Sequence, residues 1–208
     1  MKPICVDDRG PFTVAHSGRI VHVLAPTPDE ICIEDIAWHL NGIVRFTGAV
    51  SEPWSVLDHS LYVADLARAE GFDRDTVEAS LLHDAHEAYT GDVSTPIKLC
   101  LSANGTNGVL GAIQGRLQSK IYRALGIVAP VEAIRERVHR LDRRAFVGEW
   151  RRFMPESRRG MCDPWAEEYG EPNFPPGFHD DAMSSFCARL GFVKTDGPCE
   201  TSPPECRE

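Results

Sequence analysis

Apolar positions along this chain recur with the period of a helix far more often than with the alternation of a strand. In IEDIAWHLNGIVRF, Ile33, Ile36, Ala37, Leu40 and Val44 fall three and four apart. That spacing predicts a first core helix reaching Phe46 and stopped where Gly48 can open the backbone. In SVLDHSLYVADLARAEGF, Val56, Leu57, Leu61, Ala64 and Leu66 share one broad face, and Gly71 closes the helix. Asp73 or Asp75 caps the next one, TVEASLLHDAHEAYTG, which ends at Gly91. A Ser/Asn/Gly linker over 102–108 precedes LGAIQGRLQSKIYRALG, an amphipathic helix stopped at Gly126. Pro130 then opens VEAIRERVHRLDRRAFVGEWRRFM, a long helix with basic flanks.

The ends of the chain and one internal segment read differently. Residues 1–30 are interrupted by proline and glycine and predict an arm, with the apolar run at 20–24 reading as a short strand or extended segment before Pro26. Residues 155–177 are rich in proline, glycine, tryptophan and charge and predict a long surface excursion of the kind that serves binding. A last helix over 180–190 precedes a Pro/Glu/Cys tail expected to be disordered. With no internal repeat and no alternating strand set, the fold class is all-α: a helical bundle over 31–192, an arm over 1–30 and a tail over 193–208.

Composition narrows the function classes. With 208 residues, 42% hydrophobic and 25% charged, the chain is long enough for one domain with a real core and is neither disordered nor membrane-spanning. MKPICVDDRGPF has no apolar core behind its lysine, so no secretory signal is expected and the cytoplasm is the expected compartment. Seven scattered cysteines without a Cys-x-x-Cys pair argue against a disulfide framework and against a zinc ribbon. A net charge of -9 opposes coating of a nucleic-acid polymer or an anionic membrane, and leaves a small nucleotide open as substrate.

Chemistry concentrates in SLLHDAHEAYTGDVSTPIK. His83, Asp84, His86 and Glu87 fall within five positions, and on a continuous helix Glu87 would project beside His83 and Asp84. Adjacent imidazole and carboxylate groups suit a divalent metal. His59 on the preceding helix and Asp142 on the long basic one would, each alone, be an ordinary helix histidine and an arginine-paired surface charge. Arg45 is a forked donor suited to phosphate or to a protein carboxylate, and Lys98, after Pro96 near the start of a short helix, suits an anion or plain solvent. Trp54, ahead of the His59 helix, could stack on a base, packing being the plainer reading.

Together His59, His83-Asp84 and Asp142 on successive helices resemble the HD-domain phosphohydrolase superfamily. The likeness is strongest to the small 5′-deoxynucleotidase branch and its phage-type dATP triphosphohydrolase relatives, through Arg45-Phe46, SVLDHS and HDAHEAYTGDVSTPIK, and it covers about residues 31–150. SGRIVHVLAP is similar to the N-terminal arm of the phage-type members. The resemblance implies His59, His83, Asp84 and Asp142 as metal ligands and Glu87 as the base or positioning carboxylate for water. It implies Asp92 near the leaving group or the sugar hydroxyl, Arg45 on a phosphate, and Phe46 where an aromatic residue excludes the ribose 2′-hydroxyl. His86 falls at a variable position of the motif. Mixed imidazole and carboxylate ligands favour Mn, Co, Fe, Ni or Zn over Mg. The expected activity is hydrolysis of a deoxynucleotide at the 5′-oxygen by a homo-oligomer. A triphosphohydrolase preferring dATP is expected first, a 5′-deoxynucleotidase acting on dNMPs second, and a silent nucleotide-binding module is the rival of a different class.

Overall fold

The computed structural model describes residues 5–174 and 181–192. They are mostly helical with one small sheet. The expected disordered tail over 193–208, and parts of the expected excursion and last helix, lie outside the described residues. Two compact units emerge, each assembled from separated segments: 5–40, 84–129 and 187–192 in one, and 41–83, 130–174 and 181–186 in the other.

In the first unit the expected extended arm is a three-stranded antiparallel sheet, β1 (Val6–Asp7), β2 (Gly10–Val14) and β3 (Ile20–His22), in the order β1-β2-β3. Its strands are too short to alternate visibly in sequence, which is why the sheet was not predicted. Polar groups fix it from the side. His22, 4% exposed, sets Nδ1 2.9 Å from Glu30 Oε1 and Nε2 3.0 Å from Asp7 Oδ2, and Arg9 pairs with Glu30 as well. Glu30 also closes a capping box with Thr27 ahead of α1 (Ile33–Gly42). After the motif come α4 (Glu87–Thr90), α5 (Thr95–Ala103) and α6 (Asn107–Ala124). Cys32 is disulfide-bonded, although no disulfide framework was expected, while Cys5, Cys100 and Cys162 are free thiols.

The second unit is built on α2 (Val56–Ala69), α3 (Arg74–Leu82) and α7 (Glu132–Phe153), each packed on the other two. Ser55 and Asp58 form a capping box that starts α2, and Asp73 accepts from the Thr76 amide to start α3. Only one broad face of α2 was expected to be apolar, yet it is buried nearly all round, as a central helix must be. Trp54, Tyr62, Val63, Leu66, Leu141, Ala145 and Phe153 form the core against it.

Residues 156–169 lie at the surface, as expected of the excursion, but in regular structure. A 3-10 turn (Glu156–Cys162) and α8 (Asp163–Tyr169) fold back on α7, with Trp165 against Phe146 and the Arg143 guanidinium over the Trp165 ring. α9 (Ala182–Arg189) follows.

Two predictions follow from packing and charge. A Cβ at Gly148, inside α7, would stand 2.7 Å from Tyr62 Oη and 3.0 Å from Pro172 Cγ. Alanine's better helix propensity, worth about 0.8–1.0 kcal/mol, is therefore outweighed by overpacking of about 1–3 kcal/mol. Gly148→Ala should unfold at lower denaturant than the parent, and Tyr62→Phe in that background should recover part of the loss.

In the sheet, the hydrogen bonds from Asp7 and then Glu30 raise the His22 pKa against the opposing effect of burial. The His22 hydrogen bond lowers that of Asp7. Burial opposes ionisation of Glu30, but its bonds to His22, Arg9 and Thr27 prevail and lower its pKa too. The stabilisation from His22 is complete below its ordinary value of about 6.5 and disappears as pH rises through the raised one. That from the carboxylates is complete above about 4.5 and disappears as pH falls through the lowered values. Amide protection in β2 and β3, corrected for intrinsic exchange, should be greatest between those limits and decline toward pH 8; a rise toward pH 8 would contradict the network.

Candidate metal centre

The backbone first shapes the centre through a break. The predicted continuous helix through the motif is interrupted: α3 ends at Leu82, residues 83–86 form turns, and α4 restarts at Glu87. His83 Nδ1 lies 2.7 Å from the Ser80 carbonyl oxygen, so the ring donates to a carbonyl three residues back. Beyond it the amides of Glu87, Ala88 and Tyr89 donate to Asp84, Ala85 and His86, three residues back and not four. Because a carbonyl only accepts, His83 carries its proton on Nδ1 and presents Nε2 as a lone pair.

His59 is buried completely within α2. Its Nδ1 lies 2.6 Å from Glu149 Oε1, and its Nε2 lies 3.2 Å from His83 Nε2 and 3.2 Å from Asp142 Oδ1. His83 Nε2 is 4.0 Å from the same Asp142 oxygen. Two metal–ligand bonds of about 2.0–2.2 Å span at most ~4.4 Å, so all three separations fit ligands of one ion. The donor set fits as well, because both rings hold their Nδ1 protons on other acceptors and two imidazole lone pairs face each other. Only a proton or a cation reconciles that arrangement. Burial and the Arg45 guanidinium both oppose charge on His59, yet the Glu149 and Asp142 carboxylates outweigh them and hold its pKa above the ordinary value.

Glu149 was not foreseen from sequence, although it lies seven residues after Asp142 and hence on the same face of α7. It is a fully buried carboxylate. Oε1 accepts from His59 and, at 2.8 Å, from the Trp54 indole N–H, while Oε2 accepts from Arg45 Nε at 3.1 Å and pairs with Nη2 at 3.0 Å. Burial pushes its pKa up, but the Arg45 and His59 charges and the Trp54 bond prevail and hold it below the usual carboxylate range. Its legible signal was a lone acid in an apolar stretch at heptad distance from a candidate ligand.

The substrate candidates of this unit are placed otherwise than expected. Arg45 pairs with Glu149, and Trp54, 1% exposed, is core and does not offer its ring for stacking on a base. Both are brought there by backbone pairing. Val44 bridges Ser55, the Arg45 amide donates to the Trp54 carbonyl, and the Val56 amide donates to Ile43. The first helix stops at Gly42, short of Arg45, and Phe46 and Thr47 take consecutive left-handed conformations, φ 56° and 54°, to turn the chain. Phe46 is half-buried against Phe146 and Trp150.

Asp84, the residue after His83, begins the next segment of the other unit. There Asp84, His86 and Glu87 bring ligand atoms within 4.8 Å of one another, a second group able to hold a metal. Glu87 is 2% exposed, with Oε1 3.8 Å from Lys98 Nζ on α5. The His86 amide donates to Gln118 Oε1. Asp92 is half-buried just after Gly91, whose φ of 74° ends α4.

No family model matches the chain. Over 121 residues it is 36% identical to the uncharacterized protein RCAP_rcc00048 of Rhodobacter capsulatus, covering 56% of this chain and 59% of that one. Over 91 residues it is 35% identical to the uncharacterized protein YfdR of Escherichia coli, covering 43% and 48%. The chain thus spans about half the length of the curated relatives it matches. Among the described residues no helix is long and apolar enough to cross a membrane.

Removing a ligand should empty the centre. Metal content per chain, measured by plasma mass spectrometry after loading and desalting, should fall steeply in His83→Ala, Asp84→Ala and Asp142→Ala. Full occupancy in any of them would remove that residue from the ligand set.

Proposed function

We propose that the chain is an HD-type, metal-dependent phosphohydrolase of deoxynucleotides, and foremost a deoxynucleoside triphosphate triphosphohydrolase preferring dATP. The observation that carries this reading is the convergence of His59 Nε2, His83 Nε2 and Asp142 Oδ1 within 4.0 Å, from residues in the order and helical setting of the HD motif. Asp84 completes the ligand set through that motif. When bound, a divalent transition metal supplies Lewis-acid polarisation of a phosphoryl oxygen and a lowered water pKa. The chain's own groups do the rest. Glu87 accepts a proton from the attacking water, its burial keeping competing solvent away, and Lys98 beside it offers positive charge to the anion. Asp92 contacts the leaving 5′-oxygen or the sugar hydroxyl. Phe46 crowds the 2′ edge, so deoxynucleotides are preferred, and the enzyme is a homo-oligomer of the cytoplasm.

Attack by water on the phosphorus next to the 5′-oxygen breaks that P–O bond and yields a deoxynucleoside and triphosphate. Arg116, Lys120 and Arg123, exposed on α6 in the same unit as Glu87 and Lys98, supply cations for the outer phosphates. The second reading is a 5′-deoxynucleotidase that releases phosphate from dNMPs.

A panel of dNTPs and dNMPs assayed for triphosphate and phosphate release with Mn, Co, Zn and Mg separates the readings. Triphosphate release, greatest with dATP, is expected. Phosphate from dNMPs alone selects the second reading, and nucleotide binding without turnover selects the silent module. Glu87→Ala should retain metal and fold yet lose about 10²- to 10⁴-fold in kcat. Retention of more than about a tenth of the parent rate would exclude Glu87 as the base.

A further inference from the structure

The buried carboxylate of Glu149 has no place in the proposed chemistry so far, yet it is fully buried and held by three side chains. Each of its four contacts comes from a donor: Trp54 Nε1 at 2.8 Å and His59 Nδ1 at 2.6 Å on Oε1, Arg45 Nε at 3.1 Å and Nη2 at 3.0 Å on Oε2. An indole nitrogen and a guanidinium cannot accept, so the carboxyl oxygens must, and the proton shared with His59 resides on the ring. A neutral imidazole protonated at Nδ1 has its lone pair at Nε2, the atom that faces Asp142 and His83.

We propose that Glu149 is the positioning residue of the metal centre: by accepting the Nδ1 proton it holds His59 in the one tautomer and ring orientation that can ligate through Nε2. This rests on the metal-centre reading above. Arg45 serves the same end one step further out. Its two donors neutralise the buried charge and fix Oε2, which leaves Oε1 turned to His59 and Trp54. His83 has its own device, the Ser80 carbonyl, so the two rings are set by independent acceptors.

Glu149→Gln discriminates this role from mere packing because it preserves shape. Arg45 offers only donors, so it will draw the amide oxygen, and the amide N–H will then face His59. The ring must accept at Nδ1 and move its proton to Nε2.

The test reads the His59 tautomer by long-range ¹H–¹⁵N ring correlations in the metal-free protein, at a pH where the ring is uncharged. It also reads binding of cobalt(II) alone by its visible absorption. The expected result is an Nδ1–H ring in the parent and an Nε2–H ring in Glu149→Gln. Cobalt affinity should fall about 10- to 100-fold in the variant, with an unchanged far-ultraviolet circular dichroism spectrum. An unchanged tautomer with cobalt affinity within about twofold of the parent would overturn the proposal. If Glu149→Gln does not fold, the parent ring decides alone, since an Nε2–H ring there refutes the role of Glu149. A parent that binds no divalent metal refutes the metal centre instead, and the tautomer result separates that failure from this one.

Discussion

A carboxylate buried at the end of α7 imposes a condition on everything around it. Taken out of water without partners, an ionised glutamate would cost several kcal/mol, and removing one partner of such a buried pair typically costs about 3–5 kcal/mol. Glu149 meets that condition with donors from three places: an indole ahead of α2, a ring within α2 and a guanidinium from the segment after α1. The short pairing of 43–45 with 54–56 therefore has to close as it does, since it delivers Arg45 and Trp54 to the same carboxylate. The two left-handed residues beyond it, Phe46 and Thr47, are the local strain that this closure imposes.

What was legible in the sequence follows the physics of each signal. The helices expected from Ser55 and from Asp73 or Asp75 start there, with Ser55 and Asp73 as the caps, because capping is a contact between neighbours in the chain, whereas the helix expected from Leu110 begins at Asn107. The break at His83 was not legible, because Leu81, Leu82, Ala85 and Ala88 continue the apolar period through it. The competitor there is one side-chain hydrogen bond to Ser80, which leaves no mark on hydropathy. The small sheet was missed because its strands run two, five and three residues, too few to show alternation.

The candidate site divides along the same line. The resemblance to the HD pattern pointed to His59, His83, Asp84 and Asp142, and of these His59, His83 and Asp142 meet within their unit. Long-range pairing identified nothing in advance: the partner of Arg45 lies 104 residues away and that of Trp54 lies 95 away. Arginine in a chain of net charge -9 has many carboxylates to choose from, and only the fold says which one it meets. Trp54 had packing as its plainer reading beside base stacking, and its burial beside Tyr62 and Phe153 agrees with packing.

The arrangement also explains how a buried acid can sit behind a histidine without adding its charge to a metal site. Arg45 and Glu149 form a neutral pair, so the field at His59 Nε2 is set chiefly by the carboxylate in front of it, Asp142, whose side chain is 29% exposed. Water reaches the Asp142 side chain. The fully enclosed His59 and Glu149 have no such access and remain fixed. A rigid ring at the rear and an accessible carboxylate at the front suit the metal site proposed above, and both come from one face of α7 through two acids seven residues apart.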